Sequence, residues 1–139
     1  MEFVTSRPTV KGPGEWFTGD VWFDVILAGV EPSRMRANMV RFSPGARTAW
    51  HRHAVGQTLH VVEGVALVGT RDGTLFEVHP GETVTCPPDE DHWHGATPER
   101  FMQHLAMWEG LGDDRPETTW LEQVADEQYR GPRTRSHSR

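Results

Sequence analysis

At 139 residues and a net charge of −6, the chain is sized for one domain and lacks the basic face that a nucleic-acid binder needs. Its single cysteine, Cys86, cannot form an intrachain disulfide, so the cytoplasm is the expected compartment. No apolar run approaches the ~18 residues of a membrane span and no charged-then-apolar leader opens the sequence, so neither a membrane nor a nucleic acid is an expected partner.

Residues 1–34 carry little regular pattern and read as an N-terminal arm, punctuated by Pro8, Gly12, Pro13, Gly14 and Gly19. Within it, Val21 to Leu27 predicts a short strand. Trp16, Phe17, Trp22 and Phe23 crowd the same arm. Large aromatics are common at subunit contacts, so packing on the rest of the domain or on a second subunit is favoured over lining a pocket mouth. Met35 to Phe42 predicts a strand. One parity carries Arg36, Asn38, Val40 and Phe42 and the other Met35, Ala37, Met39 and Arg41; alternation alone leaves open which set faces inward.

Pro44-Gly45 opens the most informative stretch, and Glu63-Gly64 closes it. Residues two apart on a strand share a face, so His51 and His53 aim two imidazoles into one space. After a break at Ala54-Val55-Gly56, Gln57 begins an apolar strand to Glu63, with Leu59, Val61 and Glu63 on its parity. His60 falls on the opposite face and reads as a sheet or interface residue. Val65 to Thr70 and Leu75 to Val78 flank Asp72-Gly73, a hairpin signal. His79 precedes the Pro80-Gly81 turn and is expected to be exposed. Glu82 to Cys86 predicts a strand that Pro87-Pro88 stops, and His92 and His94 then share a face in their turn.

Phe101 to Glu109 predicts a further strand with Met102, His104, Ala106 and Trp108 on one side. A loop over Gly112 to Pro116 follows. Thr118 to Val124 is compatible with strand or helix, Asp126 to Arg130 predicts a short helical turn, and polar, Arg-rich Gly131 to Arg139 predicts disorder. The expected organisation is an arm over 1–34, a β-domain over 35–125, and a helical turn with a tail over 126–139. Short strands between glycine and proline turns, without a long helical pattern, give an all-β class.

Two same-face histidines, a glutamine and a third histidine from His92 or His94 make a mixed nitrogen and oxygen site for a divalent transition metal. Such donors are neutral, so a bound ion keeps its charge, and donors on one side only leave positions open, as in catalytic rather than structural sites. Glutamine suits manganese or iron, while the affinity order admits nickel, cobalt or zinc. The remaining histidines of the group, with pKa values near neutrality, suit general acid/base work.

Gly45, His51, His53, Gln57 and Gly64, followed by Gly81, Pro87 and His92, resemble the two motifs of the cupins. A glycine often stands two residues after the second motif's proline; here the position is Asp89. Gly12 to Gly19, Pro44 to His51, Gly56 to Leu59, His92 to Ala96, His104 to Ala106 and Asp126 to Tyr129 are similar to small bacterial single-domain cupins. Some of these are manganese-dependent hydroxynitrile lyases, and many relatives carry carboxymuconolactone-decarboxylase labels. The resemblance implies a jelly-roll barrel, the double-stranded β-helix, with His51, His53, Gln57 and His92 as metal ligands. It implies His104 as an active-site histidine with His94 beside the metal, and Asn38, Val40, Thr48 and Trp50 as the pocket of a small-molecule substrate. His94 and His104 are the expected acid/base pair, and Trp108, on the parity of His104, is a further expected pocket residue. The resemblance also implies a homodimer or homotetramer. The expected reaction is cleavage of a cyanohydrin to aldehyde and cyanide. Rival expectations are a cupin dioxygenase, an isomerase or decarboxylase working by proton transfer, and a non-catalytic binding cupin.

Overall fold

A computed structural model describes residues 1–135. Fourteen short strands follow one another: β1 (Val10–Lys11), β2 (Phe17–Thr18), β3 (Val21–Leu27), β4 (Met35–Phe42), β5 (Arg47–Thr48), β6 (His51–His53), β7 (Gln57–Gly64), β8 (Ala66–Thr70), β9 (Leu75–Val78), β10 (Thr83–Cys86), β11 (His92–Ala96), β12 (Met102–Glu109) and β13 (Thr118–Trp120), then α1 (Asp126–Tyr129) and β14 (Thr134–Arg135). They form two sheets. One runs β1-β3-β4-β12-β7-β10; the other runs β13-β6-β11-β8-β9-β14, with β5 on β11 and β2 on β5. Among the described residues no helix is long and apolar enough to cross a membrane.

The main core lies between the sheets. Alternation on β4, β7 and β12 sends Val40, Phe42, Leu59, Val61, Met102 and Ala106 inward, where they meet Ala66 and Val68 of β8. A second cluster of Trp50, Leu67, Leu75, Trp93, Val124 and Tyr129 covers the opposite face of β8 and β11. Both faces of β8 are therefore covered, which is why its residues read as a nearly continuous apolar run rather than an alternation. Gly69 lacks the Cβ that would stand 2.3 Å from the Trp93 indole nitrogen, so the two strands can sit side by side.

The N-terminal stretch contributes β1 and β3 to the six-stranded sheet, with β3 pairing along β4 from Val21↔Phe42 to Leu27↔Ala37. Two sequence expectations need correction. Glu63 does not follow Val61 inward, because a register shift between Gln103 and His104 inserts an extra β7 residue opposite β12 and leaves Val62 and Glu63 both exposed. Residues 131–135 are held in place: β14 pairs in parallel with β9, and Arg133 and Arg135 ion-pair with Glu77 and Glu82. The arginines that suggested a solvated tail find complementary carboxylates on the sheet. The rest of the expected tail, 136–139, lies outside the described residues. Thr118 to Val124, compatible with either state, is a strand over Thr118–Trp120.

Candidate metal centre and its cavity

Turns place the site. Gly45 takes φ 84° and donates its N–H to the carbonyl of Thr97, launching β5. The chain leaves regular pairing at Ala49-Trp50 and resumes as β6, where His51 and His53 point inward and are buried. Gly56, at φ 85°, sits so close to β10 that a Cβ would approach the Cys86 carbonyl oxygen to 2.8 Å. That contact fixes where β7 starts and hence where Gln57 points. Asp89 adopts φ 61°, the left-handed conformation that glycine usually supplies, and its N–H donates to the His53 carbonyl at 2.9 Å. The exchange of glycine for aspartate thus keeps the turn.

His92 on β11 lies directly opposite His51 on β6, with ring centroids 4.4 Å apart. His51, His53 and His92 present ring nitrogens all within 4.8 Å of one another. Each ring is held through its other nitrogen. His51 Nδ1 meets the Ala49 carbonyl at 2.9 Å, His92 Nδ1 the Glu90 carbonyl at 3.0 Å, and His53 Nδ1 the Thr118 hydroxyl at 3.1 Å. This is how metal-binding imidazoles are oriented.

The donor chemistry fits a cation. A carbonyl can only accept, so His92 Nδ1 carries the proton and Nε2 carries a lone pair. That lone pair faces the Gln57 side-chain oxygen at 3.0 Å. With the amide oxygen turned toward it, a cation bound by both groups would satisfy the two facing lone pairs; a proton is disfavoured in that role, because burial pushes the His92 pKa down. His53 Nε2 is buried without any partner. Burial, reinforced by His92, lowers His53 to about 4, and burial with His92 and His53 lowers His51 well below its usual range. The three rings are therefore neutral at neutral pH, the form that binds metal.

Behind this cluster, His94 Nδ1 and His104 Nε2 are 2.8 Å apart. Their remaining nitrogens, His94 Nε2 and His104 Nδ1, are buried with no partner. Burial and the neighbouring His104 depress His94, and burial depresses His104 to about 4. Phe42 packs against both rings.

A cavity of about 200 Å³ opens onto these groups. His51, His53, Gln57 and His94 line it, and so do four of the five expected pocket residues, Asn38, Val40, Thr48 and Trp108. His104 is not among the lining residues and stands behind His94. The fifth pocket residue, Trp50, is misplaced by the expectation. The irregular Ala49-Trp50 link reverses the facing between Thr48 and His51, so Trp50 turns to the outer cluster. There it lies under the Arg71 guanidinium and donates from Nε1 to Gln128 Oε1. Of the arm aromatics, Phe17 and Phe23 pack on the domain core as expected, and with Trp16 they also form part of the cavity wall, the less favoured expectation. Sequence reasoning missed Thr118 and Trp120. Trp120 pairs opposite His51 with ring centroids 4.6 Å apart and stacks on Trp16 at 5.1 Å. Their signal was the two-residue spacing, hidden by the strand-or-helix ambiguity of their segment.

Known proteins share this family and fold. The family model for the cupin domain matches residues 38–105. A protein of Granulicella tundricola named (R)-mandelonitrile lyase is 46% identical over 91% of this chain and 95% of its own length. A cupin-like protein from Thermotoga maritima has a solved structure that superposes with a TM-score of 0.80, at 34% identity over 86% of this chain and 90% of that one. The polyketide cyclase RemF from Streptomyces resistomycificus shares the fold at a TM-score of 0.68 and 20% identity, over 93% of this chain and 90% of that one.

Proposed function

The chain belongs to the cupin family, and from that premise we propose that it is a metal-dependent lyase that splits a cyanohydrin into an aldehyde and hydrogen cyanide and joins them in reverse. The observation that carries this reading is His94, backed by His104, opening on the same cavity as His51 and His53 of the three-histidine cluster. The relative named (R)-mandelonitrile lyase supports the same reaction.

His51, His53, His92 and Gln57 would hold the ion, with manganese proposed because an amide oxygen suits a harder cation; iron, nickel, cobalt and zinc are the alternatives. A divalent cation there supplies Lewis acidity that favours ionisation of a substrate hydroxyl. The rest falls to the protein. His94 lines the cavity, and its Nδ1 faces His104, so Nε2 remains to take the hydroxyl proton. As the bond to the nitrile carbon breaks, its electron pair leaves with cyanide and the hydroxyl oxygen becomes the aldehyde carbonyl. The proton on His94 then passes to cyanide, and the ring returns to its neutral state. His104 acts behind His94: its Nε2 accepts from Nδ1–H and stabilises the positive charge while the proton is in transit. The depressed pKa values keep the pair neutral at rest, so the base is available at neutral pH. The aromatic wall excludes water, which strengthens these interactions.

Self-association as a homodimer or homotetramer belongs to the same proposal, supported by the open sheet edge at β1. A cytoplasmic setting is proposed from the single, buried, free Cys86.

Release of benzaldehyde from mandelonitrile by manganese-loaded protein tests the reaction. Cleavage that disappears in His94→Phe at unchanged metal content supports it. Turnover retained in that variant, or oxygen consumption with catechols in place of cyanohydrin cleavage, opposes it.

A further inference from the structure

The cavity wall contains one polar side chain that neither the fold nor the proposed reaction uses. Asn38 stands on β4 in a row formed by Leu59, Ala106, Asn38 and Val25 across β7, β12, β4 and β3. The next row is Val61, His104, Val40 and Phe23. All other members of Asn38's row are apolar. Asn38 lines the cavity, and its amide makes no side-chain hydrogen bond among the described residues.

The register says which end of a substrate Asn38 can reach. Gln57 lies on β7, two strands away and one row along, opposite Trp108 and in the row of Arg36, roughly 12 Å at a strand spacing of ~4.8 Å and ~7 Å per row. His104 lies on the adjacent strand but one row along, which is ~7 Å of strand. Asn38 therefore sits on the side of the cavity away from Gln57, near Phe23, where the group attached to the reacting carbon would extend. The surrounding wall of Phe17, Phe23, Trp108 and Trp120 fits a planar ring. A neutral amide offers both a donor and an acceptor, the complement of a hydroxyl.

We propose that Asn38 reads a hydroxyl group on the ring of an aryl substrate, so that the preferred cyanohydrin is a hydroxyaryl one. The reaction in this statement rests on the lyase reading, whereas the binding preference does not. A site that pairs a hydroxyl discriminates against the analogue that lacks it, because the partly buried amide then loses that partner.

The test is equilibrium binding of benzaldehyde and of 3- and 4-hydroxybenzaldehyde to manganese-loaded protein, followed by quenching of tryptophan fluorescence. The better hydroxy isomer should bind about five- to tenfold more tightly than benzaldehyde, the effect of one net hydrogen bond. In Asn38→Leu, which keeps the volume and removes the polarity, that ratio should fall to near one. Asn38→Ala gives the same comparison if the leucine variant does not fold. Equal affinities in the unaltered protein, or a preference that survives both variants, would overturn the assignment. Cleavage of hydroxymandelonitrile against mandelonitrile is measured separately. A binding preference without any cleavage would remove the lyase reading and leave Asn38's role standing.

Discussion

The five histidines buried among the described residues divide into two groups held in opposite ways. His51, His53 and His92 are each anchored from behind, by two carbonyls and a hydroxyl, and their free nitrogens converge. His94 and His104 are anchored only to each other. Anchored rings cannot exchange protons readily, but they keep a fixed direction for their lone pairs, which suits ligands. A pair bonded only to itself has a proton it can share and nitrogens left over, which suits acid/base work. Residue type is identical in the two groups; the partner on the second nitrogen separates them.

That contrast can be broken from either side. The largest effect is expected from His53→Ala, which removes a converging donor: metal content should fall from about one ion per chain to near zero by elemental analysis. Replacing His94 by phenylalanine should leave metal content intact and lower kcat by roughly 10²- to 10⁴-fold, the usual contribution of a positioned acid/base group. If the variant lost metal instead, the two groups would not be separable.

Acid should act on both groups. Their folded-state pKa values lie below the ordinary 6.5, down to about 4 for His53 and His104. The unfolded chain therefore takes up protons first, and stability present above pH 6.5 is lost as pH falls toward about 4. For the metal-free protein each such histidine adds up to ~1.4 kcal/mol per pH unit to the slope. Denaturant midpoints that stay flat from pH 7 to pH 5 would contradict this. A smaller effect is expected from Thr118→Val, which unties His53 Nδ1 while leaving all donors in place: metal affinity should drop about tenfold, measured by competition with a chelator. The smallest belongs to Asp89→Gly. It replaces a residue in left-handed conformation by the one that adopts it freely, so stability should change by less than about 1 kcal/mol.

Much of this arrangement was legible in the chain because it depends on period and punctuation. The strands over Met35–Phe42 and Met102–Glu109 follow alternation, and glycines with positive φ at 45, 64 and 81 mark the turns of the two motifs. His51 and His53 share a face for the same reason. What was not legible depends on irregularity or on distance. Trp50 was placed wrongly because the two residues between β5 and β6, which bond to Trp16 and to Leu121-Glu122 rather than continuing a regular strand, reverse the facing, and no local pattern announces that. The cavity wall from Trp16, Phe17 and Phe23 requires β2 to pair with β5, and β3 with β4, contacts between segments that sequence order alone does not specify. Thr118 and Trp120 escaped because a three-residue strand is too short to show its period. The hidden half of the site is thus the half built by long-range pairing.

The central claim is that three neutral imidazoles and one amide oxygen converge to grip a divalent cation. Crystals grown with manganese and measured at its absorption edge test this directly. The account predicts one anomalous peak per chain, bounded by the Nε2 atoms of His53 and His92, a His51 ring nitrogen and the Gln57 oxygen. A map with no peak there, or with the ion bound between His94 and His104 instead, would contradict it.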